Sequence, residues 1–357
     1  MSHELITNFP PDPILDLDPW VGQRSASYRF ARIDGVTGAP LGDLTPLPGA
    51  TLSHDTSRTI MRQLNLQLGV RDTATVVPLT DRIDVFMVFP AGVEYPLGRY
   101  LFTNPSRQKF TSGSLGSYAL TDEMYVVDQE LEVGYSAVGK NTAAAIAEIM
   151  ATFPFTVELA ATPYTSTEAW GIGISRGQVL QSLALSGDYF NPWFGNDTHM
   201  HWIRAFDPFD QIPDFNLDQG NRVMRQPIIE DDDILTAPNR FIVVSNNPTD
   251  PSVPVVGSAD VPPSAPHSIQ SRGFVVPKTV DLQVANSTQA TAVAQNLVQR
   301  QTIFERVQLA TPPDPRHDSY NVIRWQGALW LEIGWTLELS AGGLHTHLLR
   351  KTYSSHD

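Results

Sequence analysis

The stretch Trp170–Pro208, WGIGISRGQVLQSLALSGDYFNPWFGNDTHMHWIRAFDP, constrains the fold most, because it specifies a short strand, a helix and a hairpin in succession. Ser175 precedes an apolar run and Gln178 follows three residues later, so the hydroxyl and the amide can each satisfy a free backbone N–H of the first helical turn. Gly187, which can adopt the left-handed conformation, is predicted to end the helix. Four apolar residues recur at helical spacing and form one face of this helix: Val179, Leu180, Leu183 and Ala184.

A hairpin is predicted directly after this helix. Two aromatic-rich segments, Tyr189–Phe194 and Met200–Phe206, are separated by Gly195-Asn196-Asp197, which has the turn chemistry that reverses a strand. Each large apolar side chain buried here contributes roughly 1.5–3 kcal/mol, whereas a helix cap contributes about 1 kcal/mol. Packing therefore holds this unit together, and the cap sets its register.

The same stretch contains a possible hydrolase motif. Gly173-Ile174-Ser175-Arg176-Gly177 is a G-x-S-x-G between a strand and a helix, where a hydrolase nucleophile elbow would lie. That fold also needs a βαβ scaffold, an acid and a histidine downstream, and an oxyanion-hole loop upstream. The chain before Ser175 instead predicts strands, turns and one Ala-rich helix, without an HGGG-like loop. An N-cap role for Ser175 also explains Gln178, so a serine hydrolase acting through Ser175 is the less favoured alternative. No catalytic residue is predicted.

Length and composition exclude several classes of protein. A chain of 357 residues predicts two or three domains. The formal net charge of −14 argues against a nucleic-acid-binding surface, because counterion release requires clustered Lys and Arg. Without cysteine, the chain has neither disulfides nor thiolate metal ligands. The N-terminus lacks the basic and apolar regions of a signal peptide and no apolar run approaches the length of a membrane span, so a soluble protein is expected.

The first third of the chain predicts antiparallel β-structure. The Pro-rich lead-in Asn8–Trp20 is expected to be a surface arm, because proline breaks both helices and strand ladders. From Arg24 to about Glu130, alternating apolar and polar residues and turn dipeptides such as Asp34-Gly35 indicate half-buried strands. These strands are Ser25–Ile33, Thr59–Leu68, Arg82–Phe89, Gly98–Asn104 and Ser117–Val127. Residues 1–134 are therefore predicted to form a first β-barrel-like domain.

A small α+β domain is predicted for residues 135–207. Asn141 or Thr142 caps an Ala-rich helix that stops before Pro154. The apolar face of this helix consists of Ile146, Ile149 and Met150. Together with the unit Trp170–Pro208, it makes two helices with their strands.

The segment after Pro208 begins with acidic and Pro-rich stretches. Glu230-Asp231-Asp232-Asp233 is predicted to be a solvated loop, since calcium-binding loops space their ligands and include a glycine for the turn. Asn239–Ser245 is predicted to be a strand. The six prolines between Asn246 and Gln270 predict a long extended loop at about residues 246–270, and we expect its Pro248–Pro266 part to contact a partner.

The last hundred residues predict a helix followed by antiparallel strands. Asn286 with Gln289 begins the helix, whose apolar face has the full helical pattern of Ala290, Val293, Ala294, Leu297 and Val298. The predicted strands are Thr302–Ala310, Ser319–Trp325, Ala328–Leu339 and Leu344–Thr352. Residues 208–357 thus form a second β-barrel-like domain. The predicted fold class is β-rich α+β, with two antiparallel β-barrel-like domains flanking the small α+β domain.

Two histidine pairs are the remaining candidates for metal chemistry. His199 with His201, and His345 with His347, are i, i+2 pairs on predicted strands, so each pair projects to one side of its strand. No third ligand is apparent beside either pair, and histidines that face solvent or a subunit interface are commoner than metal ligands. The chain has no phosphate loop, dinucleotide fingerprint or Cys-based motif. No metal site, no cofactor-binding site and no cofactor are therefore predicted.

The order of these elements resembles that of a known family. The passages that carry the resemblance are Ser175–Pro208, a helix followed by a strand pair ending in Asp-Pro, and Thr288–Pro315, a helix and strand followed by a Pro-Asp-Pro link. With the closing WTLELSAGGLHTHLLRKTY hairpin, this arrangement is similar to the tail hub proteins of tailed bacteriophages. That family includes baseplate hub, late control and minor tail proteins. The resemblance covers nearly the whole chain.

The resemblance implies a structural virion protein at the distal end of the tail tube. Members form homotrimers in which two barrel-like domains per subunit make a six-fold-like ring, so that a trimer adapts the hexameric tube to a trimeric tip. The implied partners are further copies of the chain, the tail tube or distal tail protein ring, the tape measure protein, and tip or receptor-binding proteins. The protein would be synthesised in the host cytoplasm and located in the virion.

The resemblance also implies a role in the channel for DNA ejection. A bore lined by carboxylates would let DNA and the tape measure protein slide through without adhesion, which fits the net charge of −14. The alternative is another tail-tip component, such as a distal tail or receptor-binding protein. That class should lack the central helix-plus-hairpin unit and form hexamers or fibres.

Overall fold

One large sheet joins the beginning and the end of the described chain. A computed structural model describes residues 26–90, 92–111, 113–218, 225–231, 236–245, 254–301 and 305–351, so the predicted arm Asn8–Trp20 lies outside it. The first region contains β1 (Ser27–Asp34), β2 (Pro40–Leu44), β3 (Thr51–Asp55), β4 (Arg62–Leu68), α1 (Val70–Thr75), β5 (Asp81–Val88), β6 (Glu94–Phe110), β7 (Gly113–Thr121) and α2 (Met124–Val127). Its β-rich character confirms the predicted fold class.

Most predicted strands of this region are confirmed, with one correction. The prediction of a strand at Ser117–Val127 is wrong beyond Thr121, where the chain turns into α2. The cause is Asp122, whose carboxylate accepts the backbone N–H of Met124 at 3.0 Å and that of Arg62 at 3.1 Å. Both carboxylate oxygens thereby hold the chain in a turn. The sequence analysis also missed β2, β3 and α1.

The middle region forms the predicted α+β unit. Asn141 caps its first helix by accepting the N–H groups of Ala143 and Ala144, as predicted. One apolar core lies between its two helices and includes Ile146, Met150, Leu180 and Leu183. Its elements are β8 (Tyr135–Ser136), α3 (Thr142–Met150), β9 (Val157–Leu159), β10 (Ala169–Trp170), α4 (Arg176–Ser186), β11 (Trp193–Phe194), β12 (Met200–Trp202) and a 3₁₀ turn at Pro208–Asp210.

The helix α4 ends at Gly187 as predicted, but the conformation of Gly187 differs from the prediction. Gly187 has φ −86° and ψ 0°, which is right-handed, and the left-handed residue is Asp188, with φ 62°. Asp tolerates this conformation because its short polar side chain can hydrogen-bond locally. Gly187 is instead required by space, since a Cβ there would lie 2.7 Å from Thr142 Cγ2 and 2.8 Å from the ring of Tyr189.

The last region contains a second small layer and the rest of the large sheet. The layer is a three-stranded sheet covered by one helix. The elements are β13 (Phe215–Asn216), β14 (Arg225–Asp231), β15 (Arg240–Ser245), β16 (Val255–Asp260), α5 (Ile269–Arg272), β17 (Pro277–Asp281), α6 (Ser287–Gln301), β18 (Glu305–Thr311), β19 (Val322–Trp325), β20 (Ala328–Glu338) and β21 (His345–Lys351).

The predicted start and apolar face of α6 are confirmed. Asn286 Oδ1 accepts the N–H of Gln289 at 2.9 Å, and Gln289 Oε1 accepts the N–H of Ala285 at 2.9 Å. The predicted face is buried against β15 and β16. Gly257 on β16 permits this contact, because a Cβ there would lie 2.3 Å from the backbone nitrogen of Thr291.

Two predicted loops are wrong where the structure describes them. Glu230 and Asp231 belong to β14, which pairs antiparallel with β18, while residues 232–235 lie outside the described chain. Within the predicted loop Asn246–Gln270, Val255–Asp260 forms β16, and residues 246–253 lie outside. The prolines bracket β16, and β16 is an edge strand, where proline is tolerated.

The first and last β-regions share the large sheet. Its strand order is β14-β18-β21-β20-β3-β4-β7-β6-β5-β1-β2, and β19 pairs with β20 and with β13. The antiparallel β3–β20 ladder, from Thr51 opposite Glu338 to Asp55 opposite Gly334, connects the two regions. The domain boundaries near residues 134 and 207 stay predictions. Within the described ranges, no helix combines the length and apolarity needed to cross a membrane.

Candidate functional site

Ser175 has the geometry of an N-cap. Its Oγ accepts the N–H of Gln178 at 3.1 Å, and the neighbouring N–H of Gly177 donates to Asp128 Oδ1 at 3.1 Å. The backbone of Ser175 is extended, with φ −69° and ψ 143°. A nucleophile elbow instead holds its serine in a sharp, strained turn. The predicted cap is confirmed, and the G-x-S-x-G pattern is explained by helix initiation.

Replacing Ser175 with Ala should lower the free energy of unfolding by about 1 kcal/mol, because the Gln178 N–H loses its acceptor. Ser175→Asp, which retains an acceptor at the N-cap, should restore most of that stability. Urea unfolding followed by circular dichroism measures both variants. Equal stability of the Ala and Asp variants would show that the cap is not the role of this hydroxyl.

The first histidine pair lies in a cluster with two carboxylates. His199 Nδ1 is 3.0 Å from Glu158 Oε1, and His201 Nε2 is 3.0 Å from Asp197 Oδ1. Glu158, Asp197 and His199 each offer a ligand atom within 4.8 Å of the others, so the statement that no third ligand lies beside this pair is wrong. Sequence reasoning missed Glu158 because β9 meets β12 only through parallel pairing.

The electrostatics of this cluster favour ion pairs within the hairpin. Burial alone would lower the pKa of His201, but the hydrogen bond to Asp197 and the nearby carboxylates raise it above its ordinary value. Burial would raise the pKa of Asp197, and His201 and His199 lower it instead. The imidazole of His201 also stacks on Trp193, with ring centroids 5.3 Å apart. These contacts fix the turn between β11 and β12.

The second histidine pair lies in the core beside a third histidine. His317 comes from the link between β18 and β19, and one ring nitrogen each of His317, His345 and His347 lies within 4.8 Å of the others. Glu332 on β20 connects two of them, because Oε2 is 2.9 Å from His317 Nδ1 and Oε1 is 2.6 Å from His347 Nδ1. The second nitrogen of His347 is 2.8 Å from Thr311 Oγ1. The absence of a third ligand is therefore wrong for this pair as well.

Burial sets the protonation of this histidine cluster. Burial, followed by the charges of His347 and His317, lowers the pKa of His345 well below its ordinary value. Burial alone would raise the pKa of Glu332, but His317 and His347 bring it down to about 2. At neutral pH Glu332 is a carboxylate, which accepts hydrogen bonds from imidazole N–H groups. Sequence reasoning missed His317 because it has no periodic relation to the other two.

Arg62 connects all three regions of the chain through a buried ion pair and a hydrogen bond. Arg62 on β4 is 1% exposed; its Nη1 donates to Asn196 Oδ1 at 2.6 Å, and its Nη2 donates to Asp318 Oδ1. Asn196 belongs to the hairpin turn of the middle region, and Asp318 belongs to the link before β19. We call Arg62, Asn196 and Asp318 the junction. No single pattern in the sequence relates these three residues.

Further hydrogen bonds hold the hairpin turn against the last region. Trp193 Nε1 donates to Asp318 Oδ1 at 2.9 Å. The side-chain amide of Asn196 donates to the backbone oxygens of Pro315 and His317, both at 2.9 Å. The turn that sequence analysis predicted as a local reversal is thus also the docking point of the middle region.

Aromatic stacking stabilises the same contact. Phe190, which follows α4, stacks on Tyr320 with ring centroids 4.2 Å apart. Tyr320 has φ 58°, a left-handed conformation that is costly for a bulky side chain. The conformation persists because the Phe190 contact and the adjacent junction determine the position of the ring.

Removing one partner of the Arg62–Asp318 pair should destabilise the protein strongly. Arg62→Met and Asp318→Asn should each cost about 3–5 kcal/mol, because each leaves a buried polar group without its partner. The double variant should lose less than the sum of the two single losses. The free energies of unfolding of wild type, the two single variants and the double variant, measured with denaturant, give the coupling energy of the pair.

The exposed pair Arg240–Asp260 is a matched control for the junction. It has bidentate geometry at 2.6 and 2.7 Å, but its side chains are 38% and 45% exposed. Arg240→Met should change stability little, because solvent screens the pair. The assignment of the junction would be contradicted if the stability losses of Arg62→Met and Asp318→Asn were additive. It would also be contradicted if Arg240→Met lost as much stability as they do.

His54 should make the protein sensitive to acid. Burial and the positive charge of Arg62 lower the pKa of His54 well below its ordinary value. As pH falls below about 6.5, the unfolded state binds a proton at His54 and the folded state does not, so the free energy of unfolding falls. His54→Gln removes this contribution while keeping a partner for Ser319, whose Oγ is 2.9 Å from His54 Nε2.

Thermal or urea unfolding between pH 7.5 and 5 tests this expectation. The stability of wild type relative to His54→Gln should decline with falling pH, by up to about 1.4 kcal/mol per pH unit. If the stability difference between wild type and His54→Gln is constant across that range, the pKa of His54 is the same in the folded and unfolded states.

Comparison with solved structures identifies the fold. A tail protein from Neisseria meningitidis MC58 matches 91% of this chain and 97% of its own length, with a TM-score of 0.63 and 13% sequence identity. The chain has a phage tail-protein fold. The prophage MuSo2 43 kDa tail protein from Shewanella oneidensis matches with a TM-score of 0.59 at 10% identity, covering 90% of this chain and 98% of that one.

The resemblance to tail proteins, predicted from the order of elements, is confirmed at the level of the fold. The prophage tail protein gp18 from Listeria monocytogenes also matches, with a TM-score of 0.54 and 8% identity, over 91% of this chain and 95% of that protein. No protein-family model matches the chain, and no curated protein matches it in sequence. The chain therefore shares its fold with these proteins although their sequences are only 8% to 13% identical to it.

Proposed function

We propose that this chain is a structural component of a phage tail and that it forms the hub at the distal end of the tail tube. The observation that carries the proposal is the end-to-end match with the Neisseria tail protein, over 91% of this chain and 97% of that one. A match of this extent covers the large sheet, the α+β unit of the middle region and the three-stranded layer of the last region. A shared module would cover only one of these regions.

The central unit favours a hub over another tail-tip component. A distal tail or receptor-binding protein was expected to lack the helix followed by a hairpin. Here α4, β11 and β12 form that unit, and Asn196 joins it to both β-regions through Arg62 and the backbone of Pro315. The unit is thus built into the body of the subunit.

The large sheet offers the contacts that a ring of subunits needs. A cyclic trimer is built from head-to-tail contacts, so each subunit must present two different surfaces. The path of the sheet ends at β2 on one side and β14 on the other. Edge strands carry backbone N–H and C=O groups that can pair with another chain. We propose that β2 of one subunit lies beside β14 of the next in a homotrimer.

In this proposal the trimer adapts the hexameric tail tube to a trimeric tip. Its partners are the tail tube or distal tail protein ring on one face, tip or receptor-binding proteins on the other, and the tape measure protein in the channel. The net charge of −14 suits a channel through which DNA passes without binding. The location is the virion, after synthesis in the host cytoplasm. Residues Pro248–Pro266 remain proposed as a partner contact.

We propose no enzymatic role. The hydroxyl of Ser175 is engaged with the N–H of Gln178, and its backbone is unstrained. If the protein nevertheless degrades host wall material, Ser175→Ala should leave that activity unchanged.

Light scattering of the purified protein over a range of concentrations tests the trimer. The expected mass is three times the chain mass of 39.4 kDa. A particle that stays at the mass of one chain, both alone and after addition of tail-tube protein, would contradict the proposal.

A charged residue on the β2 edge should weaken assembly. Leu41 on β2 is 40% exposed, and lysine on an edge strand blocks pairing with another chain. Leu41→Lys should shift the mass toward that of one chain while thermal stability at low concentration is unchanged.

Ile212→Lys is the matched control. Ile212 is 88% exposed and lies between the 3₁₀ turn and β13, outside both edge strands. This variant should keep the mass of wild type. Equal assembly of the Leu41 and Ile212 variants would exclude the β2 edge as a subunit contact.

A further inference from the structure

Three histidines meet in the core of the last region. His317, His345 and His347 are each at most 2% exposed, and one nitrogen of each lies within 4.8 Å of the others. They come from the link after β18 and from β21, and Glu332 of β20 lies between two of them. This concentration of imidazole lies far inside the subunit.

Glu332 fixes which nitrogens carry protons. As a carboxylate it only accepts hydrogen bonds, and its two oxygens face His317 Nδ1 at 2.9 Å and His347 Nδ1 at 2.6 Å. Both imidazoles therefore carry a proton on Nδ1, and the Nε2 of His317 faces no hydrogen-bond partner in the described chain, whereas the Nε2 of His347 is 2.8 Å from Thr311 Oγ1. This tautomer, held by a carboxylate, is the one that histidine ligands of metal ions adopt.

Several of the remaining nitrogens are buried without a hydrogen-bond partner in the described chain. They are His317 Nε2 and both ring nitrogens of His345. Native structures pair nearly all buried polar groups, because an unpaired one is costly. Close ring contacts, such as 4.3 Å between the centroids of His345 and His347, do not satisfy a lone pair in the ring plane.

We propose that His317, His345 and His347 bind one divalent transition-metal ion, for which Zn²⁺ is the best match. Imidazole nitrogen suits Zn²⁺, and Zn–N bonds of about 2.0–2.1 Å are within reach of nitrogens this close after small side-chain rotations. Metal binding would also require the Thr311 hydroxyl to turn away from His347 Nε2. Glu332 orients two of the ligands, and a water molecule completes four-coordination. No metal site was predicted from the sequence, because no third ligand was apparent beside the pair His345 and His347.

The bound ion would cross-link segments that are otherwise held together only by non-covalent contacts. It ties the link containing His317 to β21, and through Glu332 to β20, which also carries the ladder to β3. A ligand that binds only the folded state raises its stability in proportion to occupancy. The ion would therefore take the place of a disulfide in a chain without cysteine.

The exposed cluster of Glu158 and His199 in the middle region differs from this site. Glu158 and His199 are 50% and 37% exposed, and they are hydrogen-bonded to each other. Their polar atoms are satisfied by solvent and by one another. This cluster supplies the control for the experiment.

Metal content of untagged protein, measured by inductively coupled plasma mass spectrometry after dialysis against equimolar ZnCl₂, tests the proposal. Wild type should retain one Zn²⁺ per chain, His345→Asn should retain none, and His199→Asn should retain one. The thermal midpoint of wild type and His199→Asn should rise with ZnCl₂ and fall with a chelator. Retention by His345→Asn together with loss by His199→Asn would overturn the proposal.

Cobalt substitution of wild type gives a readout that does not depend on the folding of a variant. Co²⁺ bound by three imidazoles in a four-coordinate site should give visible absorption at one equivalent, which Zn²⁺ then abolishes. Wild-type protein that shows neither this absorption nor any retained Zn²⁺ would exclude a metal at the three histidines.

Discussion

A buried ion pair between Arg62 and Asp318 holds the first region against the last. Removing a guanidinium from water costs several kcal/mol, so Arg62 is tolerated at 1% exposure only while its partners stay in place. Those partners, Asn196 and Asp318, belong to the middle and last regions. Separating the first region from the last would leave the charge of Arg62 without Asp318, and removing the middle region would leave Nη1 of Arg62 without the amide oxygen of Asn196, so the three regions are coupled.

This coupling would suit the ring segment that we propose for the chain. The β3–β20 ladder joins the first and last β-regions into one sheet, and the junction attaches the central helix and hairpin to that sheet. In the proposed hub, a subunit would contact a tip at one face and a tube at the other. Within the described residues, one continuous sheet runs from β14 to β2, which would suit that role better than flexibly linked barrels.

Sequence reasoning predicted the local parts of this structure and missed the long-range ones. Ser175 and Asn286 were predicted as caps because a cap is decided by residues three positions apart. The strand Thr51–Asp55 was missed because its short polar run gains stability only from pairing with β20 and β4. His317 and Asp318 gave no signal for the same reason, since their partners are distant in sequence.

Cryo-electron microscopy of the assembled particle would show how the subunits meet. We expect three copies around a central channel, with β2 of each subunit beside β14 of the next and the helix-plus-hairpin unit fixed against the sheet through Arg62. A closed ring of six copies, or a particle in which both sheet edges face solvent, would contradict this expectation.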